Sequence, residues 1–175
     1  MRQLILVGFL SCILGINAAW AADAPARGKA AAPAPVRTLG ETVVKMPLEK
    51  GVSFADAAQS MKLRANLLNM KLVAELPLSQ QVAAITGKAE RLATIYQFCD
   101  AVTARRMLDY SLDFAAYLPC RIALVEDEKG QGWLVMMDLN LLINAANLQP
   151  ALKAKAIEVR DNLENIMRAG ATGDL

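Results

Sequence analysis

The sequence predicts one small α+β domain, a mostly antiparallel or mixed sheet with helices on one face, and three observations carry that reading. Ile122–Glu126 and Trp133–Asp138 are apolar runs joined by the polar, Gly-containing loop Asp127-Glu-Lys-Gly-Gln-Gly132, the pattern of a β-hairpin. The remaining strand-like runs alternate with segments whose apolar residues recur at three- and four-residue spacing, the period of an amphipathic helix. The last two clear strands are adjacent in sequence, and no dinucleotide fingerprint or phosphate loop is present, which argues against a doubly wound parallel sheet. There are no internal repeats.

The elements follow in order. Glu41–Met46 reads as a strand, with two β-branched residues among polar ones, and Pro47 ends it. Ser53 is suited to cap a helix, with Asp56 three residues on, and Phe54, Ala57, Ala58, Met61, Ala65 and Leu68 form its apolar face. Lys71–Leu76 predicts a second strand closed by Pro77, and residues 78–88 a helical connection ending at Gly87. Leu92–Cys99 predicts a central strand, after which Asp100 caps a short helix through Tyr110. A long helix starts at Pro150, a favourable first-turn residue, runs to about Arg168 and stops at Gly170.

The chain has 175 residues, 55% hydrophobic and 21% charged, the composition of a globular protein. Residues 1–21 read as a secretory leader. Arg2 gives the positive start, Leu4–Ile16 the apolar core, and Ala19-Trp20-Ala21 a small-x-small site that predicts cleavage between Ala21 and Ala22. An uncleaved anchor and a lipobox at Leu10-Ser11-Cys12 are the weaker alternatives, the first because the apolar run is short for a span of ~20 residues. Residues 22–37 are Ala/Pro-rich and predict a disordered tether. The domain is expected over 38–169, with 170–175 as a flexible tail. The expected location is periplasmic or secreted, with no membrane attachment after cleavage.

The formal charge of +2 includes Arg2 of the leader, so the mature chain carries no general field for nucleic acid or anionic lipid, and nucleic-acid binding is not expected. Histidine is absent altogether. That excludes Ser-His-Asp and Cys-His nucleophile pairs, His-ligated zinc and a c-type haem motif. Acidic residues are plentiful, but nothing in the sequence places two of them together, and Glu126, Asp127 and Glu128 read as surface charge in the hairpin loop. No catalytic set emerges, and no recognisable motif requires a cofactor.

The mature chain keeps two cysteines, Cys99 and Cys120. Cys99 directly precedes the helix capped by Asp100, where free backbone N–H groups and the helix dipole favour a thiolate and a lowered pKa. Cys120 opens a strand, with Arg121 beside it. Asp100 and Arg121 are therefore the residues expected to support the thiols. Four readings stand open: a structural disulfide, which an oxidising compartment favours; a reactive pair, with Cys99 as nucleophile and Cys120 as resolving thiol; a soft-metal site completed by a Met; or two small packed hydrophobes. Met61, Met107 and Met167 sit on apolar helix faces and read as core. Trp133 and Tyr117 are candidates for a dimer interface but read more readily as ordinary core residues.

The segments Ile95–Leu108 (IYQFCDAVTARRML) and Leu118–Glu126 (LPCRIALVE) resemble the domain of unknown function 302 family: a strand ending in Cys, a short helix, then Leu-Pro-Cys-Arg leading into a strand. The resemblance covers about residues 41–140 and leaves the tether and the C-terminal helix outside. Asp100-Ala101 stands where the family often has Asn-Pro, and Met70 near a frequent Gly. The resemblance implies a compact α+β domain with a curved, TBP-like antiparallel sheet and a homodimer, and no activity. The function expected is an exported binding or accessory domain without catalytic apparatus. The alternative is a thiol-redox, sulfur-handling or soft-metal-binding protein that uses Cys99 and Cys120.

Overall fold

The computed structural model describes residues 39–174. The leader, its cleavage site and the tether lie outside the described residues. After a short 3-10 turn at Leu39–Thr42 come β1 (Val43–Pro47), α1 (Phe54–Leu67), β2 (Lys71–Leu76), α2 (Leu78–Thr86), β3 (Ala93–Cys99) and α3 (Ala101–Tyr110). A second 3-10 turn, Leu112–Ala116, leads to β4 (Cys120–Glu126), β5 (Gly132–Met137), α4 (Leu139–Ala145) and α5 (Pro150–Thr172). The sheet runs β1-β5-β4-β3-β2, and every neighbouring pair is antiparallel. The α+β class read from the sequence is the one observed.

Alternation along the strands decides which face is covered. On β3, Thr94, Tyr96 and Phe98 are buried, and they stand opposite Leu124, Ile122 and Cys120 on β4. Ile122 and Leu124 in turn oppose Met136 and Leu134 on β5. This row of side chains meets the helical layer, in which Met61 of α1 and Leu163, Ile166 and Met167 of α5 are fully buried. Each such side chain contributes about 1.5–3 kcal/mol by leaving water. The opposite face carries Ile95, Ala123, Val125, Trp133, Val135 and Met137, all half-buried.

Local signals placed most ends. At α1 the Asp56 N–H donates to Ser53 Oγ at 3.1 Å, and the Ser53 N–H reaches back to the Asp56 carboxylate at 3.4 Å. Gly87 closes α2 in the left-handed conformation, φ 70°. The hairpin loop is built around Asp127, whose carboxylate accepts from the Lys129 and Gln131 N–H groups and, at 3.0 Å, from Trp133 Nε1. Glu126 accepts from the Leu92 N–H at 3.1 Å. Of the three acidic residues expected to be plain surface charge, Asp127 therefore ties the hairpin together and Glu126 joins it to the start of β3.

Other expectations give way. Glu41 and Thr42 belong to the 3-10 turn, and the first strand starts at Val43. The fourth strand begins at Cys120, so Cys120 and Arg121 join the Ile122–Glu126 run in it. Residues 139–145 form α4, capped by the Asp138 carboxylate accepting from the Asn140 N–H at 2.9 Å. Gly170 does not end α5. The helix runs on to Thr172, with its left-handed cap at Gly173, and Ala171 is buried, so residues 170–172 are helix where a tail was expected. Gly170 serves close packing instead: a Cβ there would lie 2.6 Å from Met61 Cγ and 3.0 Å from Leu134 Cδ1. Tyr117 is 39% exposed and Trp133 half-buried, so neither is a core residue.

Candidate functional site

The two cysteines come together at one end of the sheet. Cys99 is the last residue of β3 and Cys120 the first of β4. Cys120 stands opposite Phe98 in the ladder, which sets Cys99 diagonal to it. The Leu118–Pro119 peptide just before Cys120 is cis. Neither sulfur is in a disulfide.

Both cysteines line a cavity of about 60 Å³. Phe98 closes it from the sheet, Thr103 and Met107 from α3, and Leu142 and Val159 from α4 and α5. Besides the two thiols, Asp100, Thr103 and Tyr117 are the polar residues of its wall, and the rest are apolar. The sequence announced the strands, α3 and α5 around it but not the α4 part of the wall, since residues 139–145 were assigned no element. The signal was present: Asp138 is a good cap, and Leu139, Leu142 and Ile143 recur at helical spacing.

Asp100 caps α3 as expected. Its Oδ1 accepts from the Val102 and Thr103 N–H groups, each at 3.1 Å, and its Oδ2 from the Thr103 hydroxyl at 2.8 Å. Burial works against this charge, but the bonds from Thr103 and Val102 and the nearby Lys155 ammonium hold the carboxyl below its ordinary range.

That arrangement overturns the expected low pKa of Cys99. The helix N–H groups that were to stabilise a thiolate are bonded to Asp100. Cys99 is instead pushed up, first by burial and then by the Asp100 charge beside it. Cys120 is pushed up to about 11, mainly by burial and then by repulsion from Cys99, with Arg121 pulling the other way. Arg121 itself is exposed and stands opposite Gln97 on the outer row, so it reaches Cys120 through its charge and does not line the cavity. Among the described residues no three His, Cys, Asp or Glu side chains gather as a metal would require.

A model of the domain of unknown function DUF302 matches residues 44–170. The match takes in nearly all of α5, which the residue-level resemblance had left outside. No curated protein matches the chain. The crystal structure of the uncharacterized conserved protein DUF302 from Bacillus stearothermophilus is similar at a TM-score of 0.61 and 16% identity, covering 73% of this chain and 97% of that one. At that identity the likeness speaks for the fold alone, and the fold agrees. With the family model spanning most of its length, the chain belongs to the DUF302 family, whose function is unknown.

Proposed function

We propose that this protein is an exported, non-catalytic binding or accessory domain that receives a small ligand in the cavity between β3, β4, α3, α4 and α5. The cavity carries the reading. A space of about 60 Å³ holds a handful of atoms, far below the ~300–1,000 Å³ of pockets for drug-sized molecules. It is a small, partly open recess lined mainly by apolar side chains, with both cysteines in its wall. A thiol-redox or sulfur-handling role has less support. Attack needs a thiolate, and both thiols are held neutral at ordinary pH.

The export reading rests on the leader in residues 1–21, and self-association on the half-buried apolar row of the outer sheet face. Among the described residues no helix is long and apolar enough to cross a membrane.

Xenon under pressure tests the cavity, because small apolar voids take it up. Methyl resonances of Leu142, Ile143 and Val159 should shift and saturate, and Ala156→Leu, which fills the cavity wall, should abolish the response. Shifts that are absent, or spread evenly over the core, would overturn the reading. An intact mass of protein recovered from the periplasm that starts at Ala22 would support export, and one that retains Met1 would sink it.

A further inference from the structure

The geometry points to a soft monovalent metal cation, of the copper(I) class, as the ligand of the cavity, held by the sulfurs of Cys99 and Cys120 with the Met107 thioether as third donor. This inference rests on the reading of the cavity as a binding seat and names what that seat takes.

Three observations carry it. The first is the donor set. Cys99, Cys120 and Met107 come from three different elements, β3, β4 and α3, yet line one small cavity. Thiolate and thioether sulfur select copper(I) over harder cations. Cys99 ends β3 and Cys120 opens the neighbouring β4, one residue apart across the ladder.

The second observation is what the site lacks. Zinc asks for about four nitrogen, sulfur or oxygen ligands in a tetrahedron. The chain has no histidine, and no third Cys, Asp or Glu joins the pair among the described residues. Asp100 lies at the cavity edge, but its oxygens are engaged with Val102 and Thr103. The site therefore discriminates by omission: two or three sulfurs satisfy a monovalent d¹⁰ ion and leave a zinc ion under-coordinated.

The third observation is the surroundings. Phe98, Leu142 and Val159 make much of the remaining wall apolar, which sets the dielectric around a bound ion. Binding proceeds by ligand exchange without electron transfer. Each thiol gives its proton to solvent as its sulfur bonds the ion, so one copper(I) ion releases two protons and leaves a bis-thiolate centre of charge −1. The Met107 thioether adds a bond without adding charge.

The test is an anaerobic titration of the protein, produced from its full chain and fully reduced, with copper(I) against a chromogenic copper(I) chelator. One equivalent should be withdrawn from the chelator, and X-ray absorption should show a sulfur-only shell. Cys99→Ser should weaken binding by more than about 100-fold, beyond the 10–100-fold typical of losses outside the ligand shell. Met107→Leu, which keeps the core volume, should weaken it by about tenfold while the Cys99 and Cys120 contributions remain. Cys120 is deeply set, so Cys120→Ser is read only where circular dichroism shows the native fold. The Cys99→Ser result stands without it. Failure of the wild-type protein to withdraw copper(I), or equal affinity in Cys99→Ser, overturns the inference. Xenon uptake in that same protein would leave the cavity reading in place, and loss of both signals would overturn both.

Discussion

Cys120 faces Phe98 across the β3–β4 ladder, and Cys99 follows Phe98 at the point where the strand gives way to a helix capped by Asp100. The pairing brings the two cysteines to the same end of adjacent strands, where both line one cavity. Burial and the cap together set the chemistry of Cys99, because the Val102 and Thr103 N–H groups at the start of α3 serve the Asp100 carboxylate.

Thiol reactivity should follow from this. Both cysteines should alkylate slowly at pH 7, with Cys120 ionising only around pH 11. Asp100→Asn keeps a good cap and removes the charge that opposes Cys99, so the pH at which Cys99 reacts should fall. The sign of the linkage is fixed by the raised pKa: the folded state retains a proton that the unfolded chain loses first. The Cys120 contribution is thus fully present below the ordinary thiol pKa and is lost as pH rises to about 11, on the order of 2 kcal/mol. Mass-resolved alkylation against pH and alkaline denaturant titrations check the two statements. Rapid labelling of Cys99 at pH 7 would contradict them.

Gly170→Ala should destabilise the domain by about 1–3 kcal/mol, although alanine is the better helix former by about 1 kcal/mol. The added methyl would meet Met61 and Leu134, and the Ala57 carbonyl oxygen would lie 3.2 Å away. Urea midpoints of the two proteins measure the difference. An unchanged or higher midpoint in Gly170→Ala would mean that α1 and α5 part to admit a methyl.

The hairpin should loosen in acid. The bond from Trp133 Nε1, followed by that from Gln131 N–H, holds the Asp127 carboxyl below its ordinary range. A depressed carboxylate stabilises the fold above its unfolded pKa, and that contribution disappears as pH falls through the lower, folded value. The Trp133 indole N–H resonance should therefore move at a pH below that of an ordinary aspartate, and Asp127→Asn should remove the titration. A Trp133 signal that titrates unchanged in Asp127→Asn would assign the step to another group.

Self-association should run through the outer face. Ile95, Ala123 and Val135 lie in register across three strands, flanked by Lys45 and Leu76 on the edge strands. Light scattering should give the mass of two chains, and Val135→Lys should give one without loss of helix or strand signal. A wild-type protein that elutes as a single chain at high concentration would end the proposal.

The sequence by itself determined the elements whose signals are local. Ser53 with Asp56, Asp100, Pro150 and the Asp127–Gly132 loop each satisfy or constrain backbone groups within a few residues, so the chain announces them without its partners. The order of those elements and the hairpin then gave the α+β class, and the Cys-helix-Leu-Pro-Cys pattern gave the family. Tertiary structure decided what depends on distant neighbours. Gly170 looks like a helix stop until Met61 and Leu134 are set against it. Cys99 looks activated until Asp100 takes the helix N–H groups and burial removes its water. The cavity exists only where β3, β4, α3, α4 and α5 meet, and a space between five elements has no signature in any one of them. Burial and charge at a site are sums over neighbours that the fold assembles, which is why the thiols were legible as residues and their chemistry was not.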